Sequence, residues 1–173
     1  MRLSPINNEL LSQGNLLTKQ IGGAEFNVAS SVSILGEKTV MLTTLPNNEL
    51  GKFARKSMLL NGVSDDFIIY DDSKYKRMPI YYYEYGSSPR KPNVTYDRLN
   101  SSFQRMTIDD VNSDIYKSTK IFHISGISLG LCESSKKLSK DLIKKFKEQG
   151  TLISFDVNFR INLWKMKKMQ ELK

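Results

Sequence analysis

The sequence predicts an α/β fold, with a mostly parallel sheet flanked by helices and a small β insertion. Strand-like and helix-like segments alternate along most of the 173 residues, a pattern typical of parallel strands joined through helices. A doubled glycine, Gly22-Gly23, opens the first helical segment. Near the other end, an apolar strand runs out into Asp156, Asn158 and Arg160. Alternation sends these three to one side, at the strand end where open α/β sheets bind ligands.

Composition limits the class of protein. The length suffices for one domain with a real core, and 39% hydrophobic and 25% charged residues are close to globular averages. No apolar run approaches the roughly 20 residues that span a bilayer, and residues 1–5 lack the apolar stretch of a signal peptide. The single Cys132 cannot form an internal disulfide. We therefore expect a cytoplasmic protein with no membrane partner.

The net charge of +8 has two interpretations. It either attracts an anion, such as a sugar acid, a nucleotide phosphate or nucleic acid, or it reflects solvated lysine-rich faces. Aromatic residues are not interleaved with the lysines as stacking platforms, which disfavours nucleic acid as a partner. Six of the lysines fall in one helix-like segment: Lys136, Lys137, Lys140, Lys144, Lys145 and Lys147.

The first half of the chain reads as helix, strand, helix and short strand, at 24–35, 39–45, 49–60 and 67–70. The first of these helices places Val28, Val32 and Leu35 on one face. Gly36 ends it, and Asn61-Gly62 ends the second helix.

A β insertion at 78–98 interrupts the alternation. Two β-type runs, 79–85 and 93–98, surround a loop rich in glycine, serine and proline, which predicts antiparallel strands standing away from the main sheet. One face of this insertion can pack on a neighbour or on a partner subunit, and the other can close over a polar ligand. Its polar and aromatic candidates are Tyr81, Tyr82, Tyr83, Tyr85, Tyr96 and Arg98.

The alternation then resumes with a strand at 120–125, a helix at 134–148 and a strand at 151–156. The helix is expected to face inward through Leu138, Leu142, Ile143 and Phe146. His123 lies inside an apolar strand and is interpreted as a core residue rather than a catalytic base. One histidine and one cysteine are too few for a clustered metal site.

Two segments carry candidate binding chemistry. Gly22-Gly23 lets the backbone approach a ligand, and the helix behind it offers N–H groups, with Asn27 one turn further on. This suits a small ligand with many oxygens, although a simple tight turn with a helix cap explains the same residues. Arg160 can hold a carboxylate or phosphate with its planar guanidinium, the alternative being a salt-bridged strand exit.

These residues carry a family resemblance. The chain resembles the ribokinase-like (PfkB-type) sugar kinases, and most closely the 2-keto-3-deoxygluconate kinases, over nearly its whole length. The matching segments are M-R-L-S-P at 1–5, G-G-A-E-F-N-V-A at 22–29, V-T-Y-D-R at 94–98 with the serines at 101 and 102, H-I-S-G-I at 123–127 and D-V-N-F-R at 156–160 with the L-W at 163–164.

The resemblance implies a substrate site and a reaction. Gly23 is expected to touch the sugar through its backbone, with Gly22 and Asn27 in the same pocket. The insertion would act as a lid that pairs into a homodimer, and the reaction would be ATP-dependent phosphorylation of a primary hydroxyl, with Mg²⁺. Contacts to a sugar acid would come from Tyr81, Tyr96, Arg98 and Arg160.

The resemblance also implies departures from the family at both ends. The family's opening strand would precede Met1, and its G-A-G-D motif, with the catalytic aspartate and most of the ATP site, would follow Lys173. On this basis we expect a fragment of one partial domain, 1–173. It would bind ATP and Mg²⁺ poorly, and it would show no turnover in a coupled kinase assay.

Three alternatives remain open from the sequence. The first is a fructokinase-type fragment, since the D-x-N-x-R and L-W pattern also resembles that group. The second is a non-catalytic sugar-binding or dimerisation module that uses the tyrosine-rich insertion. The third is a disrupted gene without function. Arg98 and Arg160 favour an acidic sugar over fructose, because a neutral hexose would leave two cations uncompensated.

Overall fold

The computed structural model of the chain describes residues 1–159 and places their strands in one four-stranded sheet and three two-stranded parallel sheets. The strands are β1 (Arg2–Pro5), β2 (Leu17–Gln20), β3 (Thr39–Val40), β4 (Thr43–Pro46), β5 (Val63–Ser64), β6 (Ile68–Asp71), β7 (Ile80–Glu84), β8 (Asn93–Asp97), β9 (Ile121–Ser125) and β10 (Leu152–Asp156). The helices are α1 (Ala24–Ile34), α2 (Glu49–Leu60), α3 (Asp114–Ser118), α4 (Gly126–Gly130) and α5 (Glu133–Glu148), with 3₁₀ turns at Phe103–Arg105 and Ile108–Asp110.

The parallel strands form the pairs β3–β5, β4–β6 and β9–β10. Each pair is connected through a helix, α2 for the first two pairs and α4 with α5 for the third, as parallel pairing requires. The predicted α/β alternation is confirmed. One predicted strand, 39–45, is instead two, because the chain leaves β3 at Val40 and pairs again as β4 from Thr43.

The four-stranded sheet, which we call the tyrosine sheet, has the order β2-β1-β7-β8. Its β7–β8 hairpin is antiparallel, as predicted for the insertion. The sheet also recruits β1, parallel to β7, and β2, antiparallel to β1. Sequence reasoning missed β1 and β2, because neither contains an apolar run and β2 is exposed throughout. The tyrosine sheet is therefore larger than the segment 78–98.

Local chemistry explains where the helices begin and which face they bury. The Asn48 side chain accepts hydrogen bonds from the backbone N–H groups of Leu50 and Gly51 and so caps α2. In α5 the predicted inward face is confirmed, since Leu138, Leu142 and Phe146 are buried. Five of its six lysines are exposed and the sixth is half-buried, so the lysines form a solvated face. No helix within residues 1–159 is long and apolar enough to cross a bilayer.

Helix α1 buries a different face from the one that spacing indicated. Phe26 and Ser30 are its buried residues, while Val28 is 36% exposed and Leu35, just past its end, is 82% exposed. The helix is apolar on several sides, so periodicity alone does not select the face. Its orientation follows from the contact of Phe26 with the core.

The core consists of two clusters. The first lies between the tyrosine sheet, α1 and α2, and contains Met1, Phe26, Leu45, Ala54, Met58, Val63 and Met78. The second lies under α5 and contains Met106, Ile115, Leu138, Leu142 and Phe146. Partly buried residues of β9, β10 and β6 pack on the second cluster, so both parallel pairs contact the same core.

Candidate functional site

The Gly22-Gly23 turn joins the tyrosine sheet to the N-terminus of α1. Gly23 has φ of +151°, a region that side chains disfavour. A Cβ on Gly22 would lie 2.6 Å from the Tyr81 hydroxyl oxygen, so a side chain at that position would displace the Tyr81 side chain. No side chain within residues 1–159 caps α1. Its first N–H groups therefore remain available to a ligand at this turn.

A row of aromatic side chains extends from this turn across the tyrosine sheet. Tyr81 and Tyr96 are register partners with ring centroids 6.3 Å apart. Arg2 is the partner of Tyr81 on the other side. Burial raises the pKa of Tyr81, and the positive charge of Arg2 offsets this only in part. The Tyr81 hydroxyl is therefore neutral at pH 7 and can donate a hydrogen bond beside Gly22.

Arg98 stands at the end of this row. Its guanidinium lies over the Tyr96 ring, 4.0 Å from the centroid, and the residue is half-buried. Burial lowers the pKa of Arg98, which its neighbour Tyr96 counteracts. No carboxylate within residues 1–159 forms a salt bridge with it. A partly desolvated cation without an anionic partner is costly unless a ligand supplies one.

A polar network fixes the segment that carries Arg98. The Ser102 N–H donates to the Arg77 carbonyl (2.9 Å), and the Arg77 N–H donates to the Ser102 hydroxyl (3.0 Å). That hydroxyl donates in turn to the Asp71 carboxylate (2.6 Å), which also pairs with Arg105. Arg77 forms a salt bridge with Asp97, next to Arg98. Asp71, at the end of β6, thereby fixes the position of the segment that follows β8.

Acid is expected to weaken this network through Asp71. Burial alone would raise the pKa of Asp71, but hydrogen bonds from Ser102 and Ser73 and the pairing with Arg105 hold it well below its ordinary value. A depressed folded-state pKa contributes stability that is complete above the unfolded value near 4 and is lost as pH falls below it. Wild type is therefore expected to lose more unfolding free energy between pH 6 and pH 3 than Asp71→Asn.

Urea denaturation at the two pH values measures this difference. At pH 6 the Asp71→Asn variant is expected to be less stable by about 1–3 kcal/mol, the usual cost of breaking a charged, buried hydrogen bond. The matched control is Asp109→Asn, at an exposed carboxylate. Equal pH dependence in wild type and Asp71→Asn would contradict the role given to the carboxylate.

The residues that directly follow β9 and β10 pack against one another. A Cβ on Gly126 would overlap the Val157 carbonyl oxygen, so the chain after β9 packs directly on the chain after β10. The Asp156 carboxylate accepts the Asn158 N–H (2.9 Å), and Asn158 has φ of +34°. Arg160, the predicted carboxylate ligand, lies outside the described residues, as do Leu163 and Trp164.

The structure brings together most of the described candidates. Gly22, Tyr81, Tyr96 and Arg98 form a continuous series of neighbours, with Gly23 beside them in the turn. Asn27 lies one turn into α1, where its N–H bonds the Gly23 carbonyl and its side chain is exposed. A sugar contact by any of these residues stays a prediction.

Sequence reasoning missed two carboxylates that organise the site. The sequence pattern did not single out Asp71, yet its side chain is only 12% exposed and forms a salt bridge with Arg105. No role was predicted for Glu25 either, yet its carboxylate accepts hydrogen bonds from Ser125 and Ser128, about 100 residues away. Its position in the first turn of a helix was the one available signal. The partners depend on tertiary structure and leave no local pattern.

No metal centre is visible among the described residues. Within 1–159 no group of three histidine, cysteine, aspartate or glutamate side chains is placed to hold an ion. The ring Nδ1 of His123 lies 2.9 Å from the Ser154 hydroxyl of the neighbouring strand. This contact is compatible with the structural interpretation of His123.

The amino-acid sequence is similar to those of several known proteins. The sequence model described as pfkB family carbohydrate kinase matches residues 2–173. A 2-dehydro-3-deoxygalactonokinase of Haloferax volcanii is 34% identical over 95% of this chain and 51% of its own length. A fructokinase of Solanum tuberosum is 32% identical over 84% of this chain and 44% of its own length. The chain thus spans about half the length of these relatives.

Solved structures show the same fold. The crystal structure of 2-dehydro-3-deoxygluconokinase from Thermotoga maritima matches with a TM-score of 0.89 and 33% identity, covering 98% of this chain and 52% of that one. A sugar kinase of Pyrococcus horikoshii, PH1459, crystallised in complex with ATP, matches with a TM-score of 0.85 and 27% identity, covering 98% and 54%. The ribokinase-like α/β fold expected from the sequence motifs is confirmed.

Proposed function

Since the chain belongs to the pfkB family of carbohydrate kinases, we propose that its tyrosine-lined site binds a sugar acid of the 2-keto-3-deoxygluconate type. The resemblance to this family is confirmed, and the similar proteins include kinases named for 2-dehydro-3-deoxy sugar acids, where 2-dehydro is another term for 2-keto. The particular acid, whether the gluconate or the galactonate epimer, is left to measurement.

The proposal depends on Arg98, for which residues 1–159 supply no carboxylate partner. A half-buried guanidinium beside tyrosines suits a carboxylate, to which it can donate two parallel hydrogen bonds. The Tyr81 hydroxyl and the first N–H groups of α1 lie further along the same row and suit sugar oxygens. Gly22 and Gly23 allow the sugar to approach the backbone. An acidic group at one end and hydroxyls at the other match a sugar acid.

For the whole protein we propose ATP-dependent phosphorylation of a sugar hydroxyl. ATP use is supported by the family and by the ATP complex of PH1459. Mg²⁺ would supply charge neutralisation at the phosphates, and we assign none of the described residues to it. Within this reaction the described site binds and orients the sugar. A cytoplasmic location remains a prediction of the composition.

A fructokinase is the second candidate, favoured by the similarity to the Solanum tuberosum enzyme. Arg98 argues against it, because fructose carries no charge to compensate the guanidinium. The two candidates differ in one measurable property, the contribution of a substrate carboxylate to affinity.

We also propose that two copies pair through the tyrosine sheet. Large side chains along its outer strands and connections are exposed: Leu16 at 63%, Leu17 at 44%, Tyr96 at 48% and Leu99 at 71%. Leu16 and Leu17 lie at the β2 edge and Tyr96 and Leu99 at the β8 edge, and exposed apolar residues at a sheet edge can pack on a second copy. Light scattering would give the mass in solution. A dimer that binds no sugar would instead favour the non-catalytic dimerisation module.

Calorimetric titration of the purified chain tests the substrate proposal. The ligands are 2-keto-3-deoxygluconate, 2-keto-3-deoxygalactonate and fructose at equal ionic strength. We expect at least one sugar acid to bind and fructose to bind at least tenfold more weakly. Tighter binding of fructose would favour the fructokinase alternative.

A further inference from the structure

The Glu25 carboxylate is hydrogen-bonded to residues 100 and 103 positions further along the chain. One carboxylate oxygen, Oε1, accepts three hydrogen bonds, from the Ser125 N–H (3.0 Å), the Ser125 hydroxyl (2.8 Å) and the Ser128 hydroxyl (2.7 Å). Ser125 is fully buried and Ser128 nearly so. Both donors therefore depend on this oxygen, since buried hydroxyls need partners.

Within residues 1–159, no other hydrogen bond or salt bridge connects α1 with the end of β9 and the start of α4. Glu25 lies in the first turn of α1, two residues after Gly23. Ser125 ends β9, and Ser128 lies in α4, which follows it directly. The bonds fasten the start of α1, and with it the glycine turn, to the carboxyl end of a core strand.

The same strand end is in contact with the exit of β10. Gly126 packs against the Val157 carbonyl so closely that no Cβ fits. Glu25 thus completes a chain of contacts from the glycine turn, through the end of β9, to the end of β10. A shift at any of the three would move the backbone that faces a ligand.

We propose that Glu25 is a positioning residue, which holds the Gly22-Gly23 turn and the first N–H groups of α1 in the orientation that binds the sugar. This inference rests on the proposed function for its ligand. Glu25 acts through the backbone of the turn and does not itself touch the sugar. Its acceptor oxygen, rather than its charge, performs this role, because all three partners are neutral donors.

The closing experiment compares Glu25→Ala, Glu25→Gln and the control Glu37→Gln, which alters an exposed carboxylate after α1. Binding of 2-keto-3-deoxygluconate and of the galactonate epimer is measured by calorimetry below the unfolding transition. We expect Glu25→Ala to weaken affinity at least tenfold. Glu25→Gln, whose amide oxygen accepts the same bonds, is expected to stay within about threefold of wild type, as is Glu37→Gln.

Amide hydrogen exchange separates positioning from general destabilisation. In Glu25→Ala the amides of residues 22–27 are expected to exchange at least tenfold faster, with those of α5 unchanged. If Glu25→Ala does not fold, Ser128→Ala removes one of the three donors and is expected to weaken affinity about threefold. Unchanged affinity in a folded Glu25→Ala, or in Ser128→Ala as its substitute, would overturn the inference.

The outcomes also separate this inference from the proposed function. If wild type binds neither sugar acid, the substrate proposal fails, and unchanged exchange at 22–27 in the folded variant would refute the positioning role as well. If wild type binds and Glu25→Ala binds equally well, only the positioning role fails.

Discussion

Replacing Arg98 with alanine is expected to weaken binding of the 2-keto-3-deoxy sugar acid by about 10- to 150-fold. Hydrogen bonds to a charged group contribute about 1.5–3 kcal/mol, which corresponds to that range. The unfolding free energy is expected to change little, because Arg98 has no carboxylate partner among residues 1–159 and contacts mainly the Tyr96 ring. Calorimetry and urea denaturation of the same preparation measure both quantities.

Two further variants identify the cause of the loss. Arg98→Lys keeps the charge but lacks the planar pair of donors, so it is expected to recover only part of the affinity. Lys91→Ala removes one positive charge from an exposed position in the loop between β7 and β8 and is expected to bind as wild type. Loss of affinity in Lys91→Ala equal to that in Arg98→Ala would assign the effect to net charge and contradict the site.

Replacing Phe146 with alanine is expected to lower the unfolding free energy by about 3–5 kcal/mol, the usual range for a buried phenylalanine. Its side chain is completely buried. The ring stacks on Phe122 at 4.2 Å and meets Tyr116 edge-on at 5.0 Å between centroids. The cavity would open in the second core cluster, where α5 packs on β9. Chemical denaturation measures the loss.

The neighbouring Lys147→Ala provides the control on the exposed face of the same helix, with an expected change within about 0.5 kcal/mol. Phe146→Leu is expected to fall between the two, because it keeps part of the buried volume. A loss below about 1.5 kcal/mol in Phe146→Ala would show that the cluster collapses around the missing ring.

The long elements were predictable because their patterns are local. The helical spacing of Leu138, Leu142 and Phe146 predicts the buried face of α5. The β7–β8 hairpin is indicated by β-type runs on either side of a glycine- and proline-rich loop. β1 and β2 were not predictable, since R-L-S-P and L-T-K-Q each contain a single leucine and lack the apolar run that indicated β6. The prediction of the buried face of α1 was wrong for a different reason, since apolar residues lie on several sides of this helix and periodicity does not select one.

In the candidate site, too, local groupings were predictable and contacts between distant segments were not. Tyr81, Tyr96 and Arg98 could be grouped because they belong to one hairpin, and the structure places them in one row. That Gly22 lies under the Tyr81 hydroxyl depends on strand pairing across the tyrosine sheet. The bonds of Glu25 and Asp71 join segments distant in sequence, which no local spacing encodes.

The tyrosine sheet combines strands from residues 2–20 with strands from residues 80–97, which are separated by a long intervening segment. The Met1 amino group bonds the Pro79 carbonyl across 78 residues, just where β1 meets β7. Closing a loop of this length costs chain entropy before the contact contributes any stabilising free energy. Folding rates fall as such distant contacts dominate. The local β7–β8 hairpin is therefore expected to form first, and β1 is expected to join it later to complete the tyrosine sheet.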